Sequence, residues 1–188
     1  SGVARTIANP ITIGGNFQVG GSAGAGNVTF TGNVGLGGAT RTITIGNTGS
    51  YTFSGIISNG GLTVATASTG RIILSNATNS YAGATTISSG ILQAGIASSL
   101  PTTTALVLGN VANTSFQLTN GVSNYNTTVG SIAGGGGAGG NIILGSAALS
   151  TGGANTNTSY GGVISGTGSF TKTGTGVQTL TGANTYSG

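Results

Sequence analysis

The stretch "GVISGTGSFTKTGTGVQTLTGANTYSG" (162–188) decides the fold, because short alternating runs of apolar and polar residues stand in it between Gly- and Asn-rich turns. Alternation with a period of two, bounded by turn residues, is typical of short β-strands. About a hundred residues earlier, "GIISNGGLTVATASTGRIILSNATNSYAG" (55–83) shows the same order of runs and turns. The chain therefore contains an internal repeat, 55–83 and 162–188, and a repeat of this kind predicts a stacked architecture.

Similar alternating runs extend along the whole chain. They lie at 11–19, 27–32, 41–46, 50–55, 61–66, 71–75, 85–95, 105–109, 115–119, 127–132, 141–145, 169–174 and 178–182. No i, i+3, i+4, i+7 apolar stripe persists over three turns, so the sequence predicts no significant helix.

The strand count alone fits a sandwich or a barrel as well as a solenoid. Internal repetition, together with turns that are rich in Gly, Asn and Ser and nearly free of Pro, favours an all-β, right-handed parallel β-solenoid (β-helix). We expect roughly eight coils of about 20–25 residues, forming one domain over 1–188, with 133–140 as a Gly-rich loop. Turn asparagines are expected to form ladders from coil to coil. Because the pattern is under way at both ends, we expect the chain to be a segment of a longer protein.

Charge is the most unusual feature of the composition. The 188 residues include 40 Gly and only 2% charged residues, with four cations (Arg5, Arg41, Arg71 and Lys172) and no Asp, Glu or His. Cations this sparse do not form the basic patch that nucleic-acid binding needs. Without carboxylates, the main cause of acid unfolding is missing, so we expect a stability that is flat from about pH 2 to pH 8.

The same composition argues against catalysis. Acid–base chemistry and metal binding use carboxylate, imidazole or thiolate groups, and the chain has no Asp, Glu, His or Cys. Lys172 is the one side chain that could act as a base toward a Ser or Thr nucleophile. The sequence therefore predicts no catalytic, cofactor-binding or metal-binding residues and no cofactor.

Two motifs allow a functional interpretation beside a structural one. "SIAGGGGAGGN" (131–141) contains G-x-G-x-x-G spellings, but a phosphate loop needs a following helix, and "NIILG" predicts a strand. Tyr81 and Tyr186 occur in both repeats and could carry a sugar, although a structural role at a corner is the favoured interpretation.

Two residue patterns are common enough to arise by composition alone. N-x-S/T sequons occur at Asn27, Asn76, Asn113, Asn126 and Asn157. Thr-x-Thr occurs at 29–31, 42–44, 171–173 and 179–181, with uneven gaps that do not indicate an ice-binding array. For Lys172 and the arginines we expect solvation or bonds to turn carbonyls.

The repeated phrases resemble the autotransporter-associated β-strand repeat, also called the passenger-associated transport repeat. The second copy matches its pattern at Gly168, Thr171, Lys172, Gly174, Gly176, Leu180, Gly182, Asn184, Tyr186 and Gly188. The first copy matches at Gly61, Leu62, Thr63, Leu74, Asn79, Tyr81 and Gly83 and continues as "ATTISSGILQAG" (84–95). It departs from the pattern at Val64, where the family has Lys, and at "ATAST" (65–69), and the second copy departs at Gln178.

The resemblance implies a structural, non-catalytic segment of a bacterial surface or extracellular protein, acting as a stalk, adhesin scaffold or filament subunit. The alternative is a binding module, either an adhesin for a glycan or host surface or an ice-binder with a Thr face. The expected partners are a head-to-tail copy or the continuing solenoid, with a surface glycan or host contact as a further option. Neither nucleic acid nor membrane insertion is expected.

Overall fold

The computed structural model describes residues 3–21, 26–66 and 69–188, and in them the secondary structure consists of strands and turns without a helix. Residues 67 and 68, within the 65–69 turn of the first repeat, lie outside this description. The strands are β1 (Arg5–Ile7), β2 (Ile11–Thr12), β3 (Phe17–Val19), β4 (Val28–Phe30), β5 (Val34–Ile45), β6 (Ser50–Phe53), β7 (Ile57–Thr66), β8 (Arg71–Leu74), β9 (Thr85–Ile87), β10 (Ile91–Ala94), β11 (Ala105–Leu108), β12 (Ser115–Gln117), β13 (Thr127–Val129), β14 (Ser131–Gly134), β15 (Asn141–Gly145), β16 (Leu149–Thr151), β17 (Thr158–Tyr160), β18 (Ile164–Gly166), β19 (Phe170–Lys172) and β20 (Gln178–Leu180).

These strands stack in parallel along three faces. The first face is the eight-stranded sheet β1-β4-β6-β8-β10-β12-β15-β18. The second face begins with β2 and the first halves of β5 and β7, continues through segments 79–83 and 99–104, and ends with the sheet β13-β16-β19. The third face begins with β3 and the second halves of β5 and β7 and continues through β9, β11, β14, β17 and β20. Strands β5 and β7 run through the corner between the second and third faces, where the register shifts after Gly35.

The register confirms the expected solenoid of about eight coils. On the first face, Ile72 pairs with Leu92, 20 residues later, and Phe116 pairs with Ile142, 26 residues later. The other steps of this sheet fall between these two values. Parallel strands one coil apart are stacked at about 4.8 Å, so eight coils rise by roughly 40 Å. The right-handed winding stays a prediction.

The core is a set of aliphatic and aromatic columns between the faces. One column on the first face runs through Tyr51, Ile72, Leu92, Phe116 and Ile142, all of them buried. Beside it, the rings of Phe30 and Phe53 stack with centroids 4.6 Å apart. The inward positions alternate with half-buried outward ones, as the period-two pattern predicts.

Several strands are followed by a Ser-Gly or Thr-Gly pair that makes the same contacts with the previous coil. At Ser54, both the backbone N–H and the hydroxyl donate to the carbonyl of Phe30, one coil earlier. The glycine that follows, Gly55, passes so close to the earlier coil that a Cβ there would lie 2.0 Å from the carbonyl oxygen of Gly32. Thr167 and Gly168 repeat this arrangement in the second repeat. The frequent glycines after Ser and Thr therefore allow the close approach of neighbouring coils.

We expect Gly55→Ala to lower the free energy of unfolding by about 2–3 kcal/mol, because the added methyl group overpacks the contact between two coils. Gly153→Ala is the matched control, since a Cβ at this exposed position has no atom within 4 Å. The control should leave stability unchanged or raise it by about 0.5 kcal/mol. Urea unfolding checks both variants, and equal effects would show that close packing of coils is not what requires glycine at position 55.

Candidate functional site

Asparagine side chains connect consecutive coils at the corners of the solenoid. In each case the side-chain Oδ1 accepts a hydrogen bond from a backbone N–H of the next coil, a link that we call a staple. The staples of this direction join Asn16 to Thr42, Asn27 to Ser50, Asn33 to Ile56, Asn110 to Ala138, Asn124 to Ser146, Asn126 to Ala148, Asn141 to Val163, Asn155 to Thr175 and Asn157 to Val177. These asparagines do link consecutive coils, but each link is a single bond from side chain to backbone and not a rung of the expected ladder of stacked amides.

The asparagine of each repeat makes a staple in the opposite direction. Asn79 Oδ1 accepts from the N–H of Ile57 at 2.7 Å, and Asn184 Oδ1 accepts from the N–H of Ile164 at 2.8 Å. Both isoleucines belong to the "G-I/V-I-S" start of their own repeat. The repeat therefore ties its last segment back onto its first strand, one coil earlier.

Asn79 makes more bonds than this staple alone. Its Nδ2 donates to the carbonyls of Asn76 at 2.9 Å and Ser99 at 2.8 Å, so the side chain bridges three successive coils. The residue is 7% exposed. An amide is required here because the site needs one acceptor and two donors on the same planar group.

The two repeats occupy different faces of the solenoid. Ile57 and Asn79 lie on the second face, whereas Ile164 and Asn184 lie on the first. The motif thus specifies a relation between two consecutive coils and not a position on one side. This places the two tyrosines of the repeats on different faces as well.

The tyrosine of the first repeat is buried at a corner. Tyr81 is 1% exposed, and its hydroxyl shares a 2.8 Å hydrogen bond with Thr85 Oγ1. Thr85 bonds in turn to Thr104 Oγ1, which donates to the carbonyl of Gly83. In the second repeat, Tyr186 is half-buried. The centroid of its ring lies 6.2 Å from the centroid of the Phe170 ring, one coil earlier. Tyr81 has no surface on which a sugar could stack.

Burial raises the pKa of the Tyr81 hydroxyl well above its ordinary value, although the hydrogen bond with Thr85 opposes the shift. Burial likewise raises the pKa of Tyr160, whose hydroxyl donates to the carbonyl of Gly140. The pKa of each of these tyrosines is higher in the folded state than in the unfolded state. The stability that the neutral, buried hydroxyls contribute is therefore fully present below the unfolded pKa of about 10. That stability is lost as the pH rises from there toward the folded-state pKa. These tyrosines therefore do not change the free energy of unfolding between acid and neutral pH.

Lys172 bonds to turn carbonyls, as expected. Its Nζ donates to the carbonyl oxygens of Thr173 and Gly174. Arg41 Nε likewise donates to the carbonyl of Leu36 at 3.0 Å. Both hydrogen bonds hold the Lys172 ammonium on the backbone of its own turn, and neither joins it to a Ser or Thr hydroxyl.

The Gly-rich stretch 131–141 forms a tight turn between two strands. It begins as β14, and Gly136 and Gly139 then form an antiparallel bridge with N–H···O bonds in both directions. The N–H of Ala138 donates to Asn110 Oδ1, which holds the turn on the previous coil. Strand β15 follows directly, so the helix that a phosphate loop requires is not formed here.

Threonines stack in register on the outer surface over short distances. Thr6, Thr29 and Thr52 form one row, which continues as Ile73. A second row on the third face, Thr42, Thr63 and Thr86, continues as Val107. Each row ends after three coils, so the arrangement does not extend as a regular Thr face.

The sequon asparagines mostly serve the solenoid itself. The side chains of Asn27, Asn126 and Asn157 make staples, and Asn76 bonds to Thr78 and to the carbonyl of Ser54. Asn113 is exposed and adopts a positive φ of 63°. Within 3–21, 26–66 and 69–188 there is no group of three or more His, Cys, Asp or Glu side chains and no helix long and apolar enough to cross a membrane.

This architecture defines a class: a parallel β-solenoid whose coils are joined by asparagine staples. The model of the passenger-associated transport repeat matches residues 67–94 and 170–188, so the chain contains this repeat, as the resemblance predicted. The adhesin BmaC autotransporter of Brucella suis biovar 1 (strain 1330) is 42% identical over 122 residues, which are 64% of this chain and 3% of that protein. The matched part is thus a very small fraction of that relative. No solved structure matches the chain.

Aspartate substitutions at two staples, one buried and one exposed, test the assigned roles of these asparagines. We expect Asn79→Asp to lower the free energy of unfolding at pH 7 by about 3–5 kcal/mol, because a buried carboxylate would face the Asn76 and Ser99 carbonyls. Its folded-state pKa would rise, so stability should recover as the pH falls below the folded value. Thermal melts from pH 2 to pH 8 measure this dependence.

Asn33→Asp is the matched control, since Asn33 is exposed and serves only as an acceptor for the Ile56 N–H. A carboxylate keeps that bond, so the variant should be as stable as the parent at pH 7 and slightly less stable at pH 2. The parent chain should melt at nearly the same temperature throughout. A strongly pH-dependent parent, or an Asn79→Asp variant with flat stability, would contradict the assignment.

Proposed function

We propose that this chain is a rigid, non-catalytic spacer in the surface-exposed passenger of a bacterial adhesin. The observation that carries the proposal is the staple of each repeat, which fastens a coil to its predecessor by side-chain bonds in addition to the strand ladder. Such a device holds consecutive coils together and makes no use of a ligand. Its role is to keep the solenoid extended.

The composition supports an exposed location. A solenoid without carboxylates keeps the same charge across the acid and neutral range, so its stability should not change in acidic surroundings. The closely approaching glycines leave few segments of backbone that could enter a protease site. The relative named above is an autotransporter adhesin, which favours the same location for this chain.

Self-association is a second candidate role. Half-buried apolar side chains lie in the coils at both ends, with Ile11 and Phe17 in the first coil and Phe170 and Leu180 in the last. A further coil, either of the same solenoid or of a second copy, would cover them, so a filament subunit stays a prediction beside the spacer. An ice-binding role has less support, since the Thr rows end after three coils.

Surface display tests the spacer. The 188-residue segment is placed between an epitope tag and the carrier part of an autotransporter, and intact cells are treated with antibody and with external protease. We expect the tag to be accessible, and the segment to remain intact at protease concentrations that remove an unstructured linker. This resistance follows from the continuous ladder, which has to open before cleavage.

A scrambled segment with the same composition is the matched control. It should be cleaved quickly wherever it reaches the surface, because it lacks the register of the staples. Retention of the native segment inside the cell would contradict the surface role. Cleavage of the native segment as fast as the scrambled one would contradict the rigid spacer.

A further inference from the structure

A shallow groove crosses the outer surface of the first face in its middle coils. It has a volume of about 290 Å³ and is lined by Ile91, Asn113, Ser115, Gln117, Asn141 and Ile143, among others. These residues come from β10, β12, β15 and the turn before β12. The volume is close to the lower end of the roughly 300–1,000 Å³ that is usual for small-molecule sites.

The amides of the groove are held in fixed orientations. Gln117 Oε1 accepts from Gln93 Nε2 at 3.5 Å, and Gln117 Nε2 donates to Ser115 Oγ at 3.3 Å. Gln93, which is 3% exposed, is itself anchored on the carbonyl of Thr119 at 2.8 Å. Asn141 Oδ1 is taken by the N–H of Val163, so the NH₂ group of this side chain is the part left to donate. Fixed polar groups lower the ordering cost of binding.

Arg71 lies on β8, the strand next to β10 at one end of the groove. Arg71 pairs in register with Ile91, Ile91 with Ser115, and Ser115 with Asn141, so the four residues follow one line across successive coils. At about 4.8 Å per coil, the row from Arg71 to Asn141 is roughly 14 Å long. Arg71 is half-buried, and the chain contains no Asp or Glu that could pair with its guanidinium.

We propose that this row, together with Gln117 beside it, binds a short acidic oligosaccharide, with its carboxylate on Arg71 and its hydroxyls on the amides of Gln117 and Asn141. A guanidinium forms bidentate bonds with a carboxylate, and amides serve hydroxyl groups as both donors and acceptors. Ile91 and Ile143 give apolar patches for the C–H faces of the sugar rings. The strand ladder already uses the backbone groups of this face, so an added peptide strand has no edge to join.

Sugar binding by this groove rests on the surface location in the proposed function, but it does not depend on the spacer role. A solenoid that fails to bind sugar remains a spacer, and a chain that fails the display test can still bind sugar in solution. The two tests therefore fail independently of each other.

Calorimetric titration of the folded chain tests the groove. The probe is a tetrasaccharide of alternating glucuronate and N-acetylglucosamine, and the comparison is the neutral tetramer of N-acetylglucosamine. We expect saturable binding of the acidic probe that weakens with added salt, and at least tenfold weaker binding of the neutral tetramer. No binding of the acidic probe at about millimolar concentration would overturn the proposal.

Three variants separate the site from general charge attraction. Arg71→Ala should weaken the binding of the acidic probe at least tenfold and abolish the preference for this probe over the neutral tetramer. Gln117→Ala should weaken the binding of both sugars several-fold and keep the preference for the acidic probe. Arg5→Ala removes the same charge from the exposed first coil and should leave binding unchanged, whereas an equal loss in Arg5→Ala and Arg71→Ala would overturn the proposal.

Melting temperatures of the three variants show whether each is folded. Among the described residues, the Arg71 side chain makes no hydrogen bond, so Arg71→Ala should melt at the same temperature as the parent. Should it unfold instead, Arg71→Gln provides the same test, because it keeps the length of the side chain and removes the charge.

Discussion

The hydrogen bond between an asparagine side chain and a backbone N–H one coil away is the interaction on which this solenoid depends. Strand ladders join coils along the faces, but at the corners the backbone turns and leaves N–H groups without a ladder partner. A buried N–H that is left unpaired costs roughly 1–3 kcal/mol. Asn79 supplies the acceptor for the buried N–H of Ile57, and Asn27, Asn126 and Asn157 supply acceptors for N–H groups nearer the surface. A chain without carboxylates thus obtains acceptors from neutral amides, and the coils stack without repulsion between like charges.

The repeat adds a bond in the reverse direction. Asn79 and Asn184 each accept from an isoleucine of the previous coil, although one pair lies on the second face and the other on the first. The phrase therefore encodes how two coils are joined and does not fix which side of the solenoid faces a partner. This leaves the outward side chains of each face open to variation, and the proposed groove consists of such side chains on the first face.

Much of the architecture could be predicted from the sequence, because inward and outward residues alternate so regularly along strands such as β6, β8 and β11. Strands β1, β16, β17 and β18 lie outside the runs that the sequence indicates. Of these, β16 and β17 consist largely of Ser and Thr, with Leu149 or Tyr160 as the single large apolar residue, so they show no alternation. Their pairing comes from the coils on either side. The carbonyl bonds of Lys172 were foreseen, since an isolated cation among turn residues has few other acceptors.

The direction of the staples and the groove could not be predicted from the sequence. Both depend on residues 20–28 positions apart, whose proximity can be predicted only when the length of each coil is known, and this length varies along the chain. Asn79 and Asn33 both lie between strands, yet Asn79 bridges three coils from a buried position and Asn33 accepts from a single N–H at the surface.

Amide hydrogen exchange at Ile57 tests the central claim most directly. With the staple in place, the Ile57 N–H should exchange as slowly as the ladder amide of Ile72 in β8. In Asn79→Ala, Ile57 should exchange about 10–100 times faster, which corresponds to the loss of one buried hydrogen bond, while Ile72 keeps most of its protection. An Ile57 amide that exchanges freely in the parent chain, or equally slowly in both proteins, would show that the asparagine does not hold the coils together.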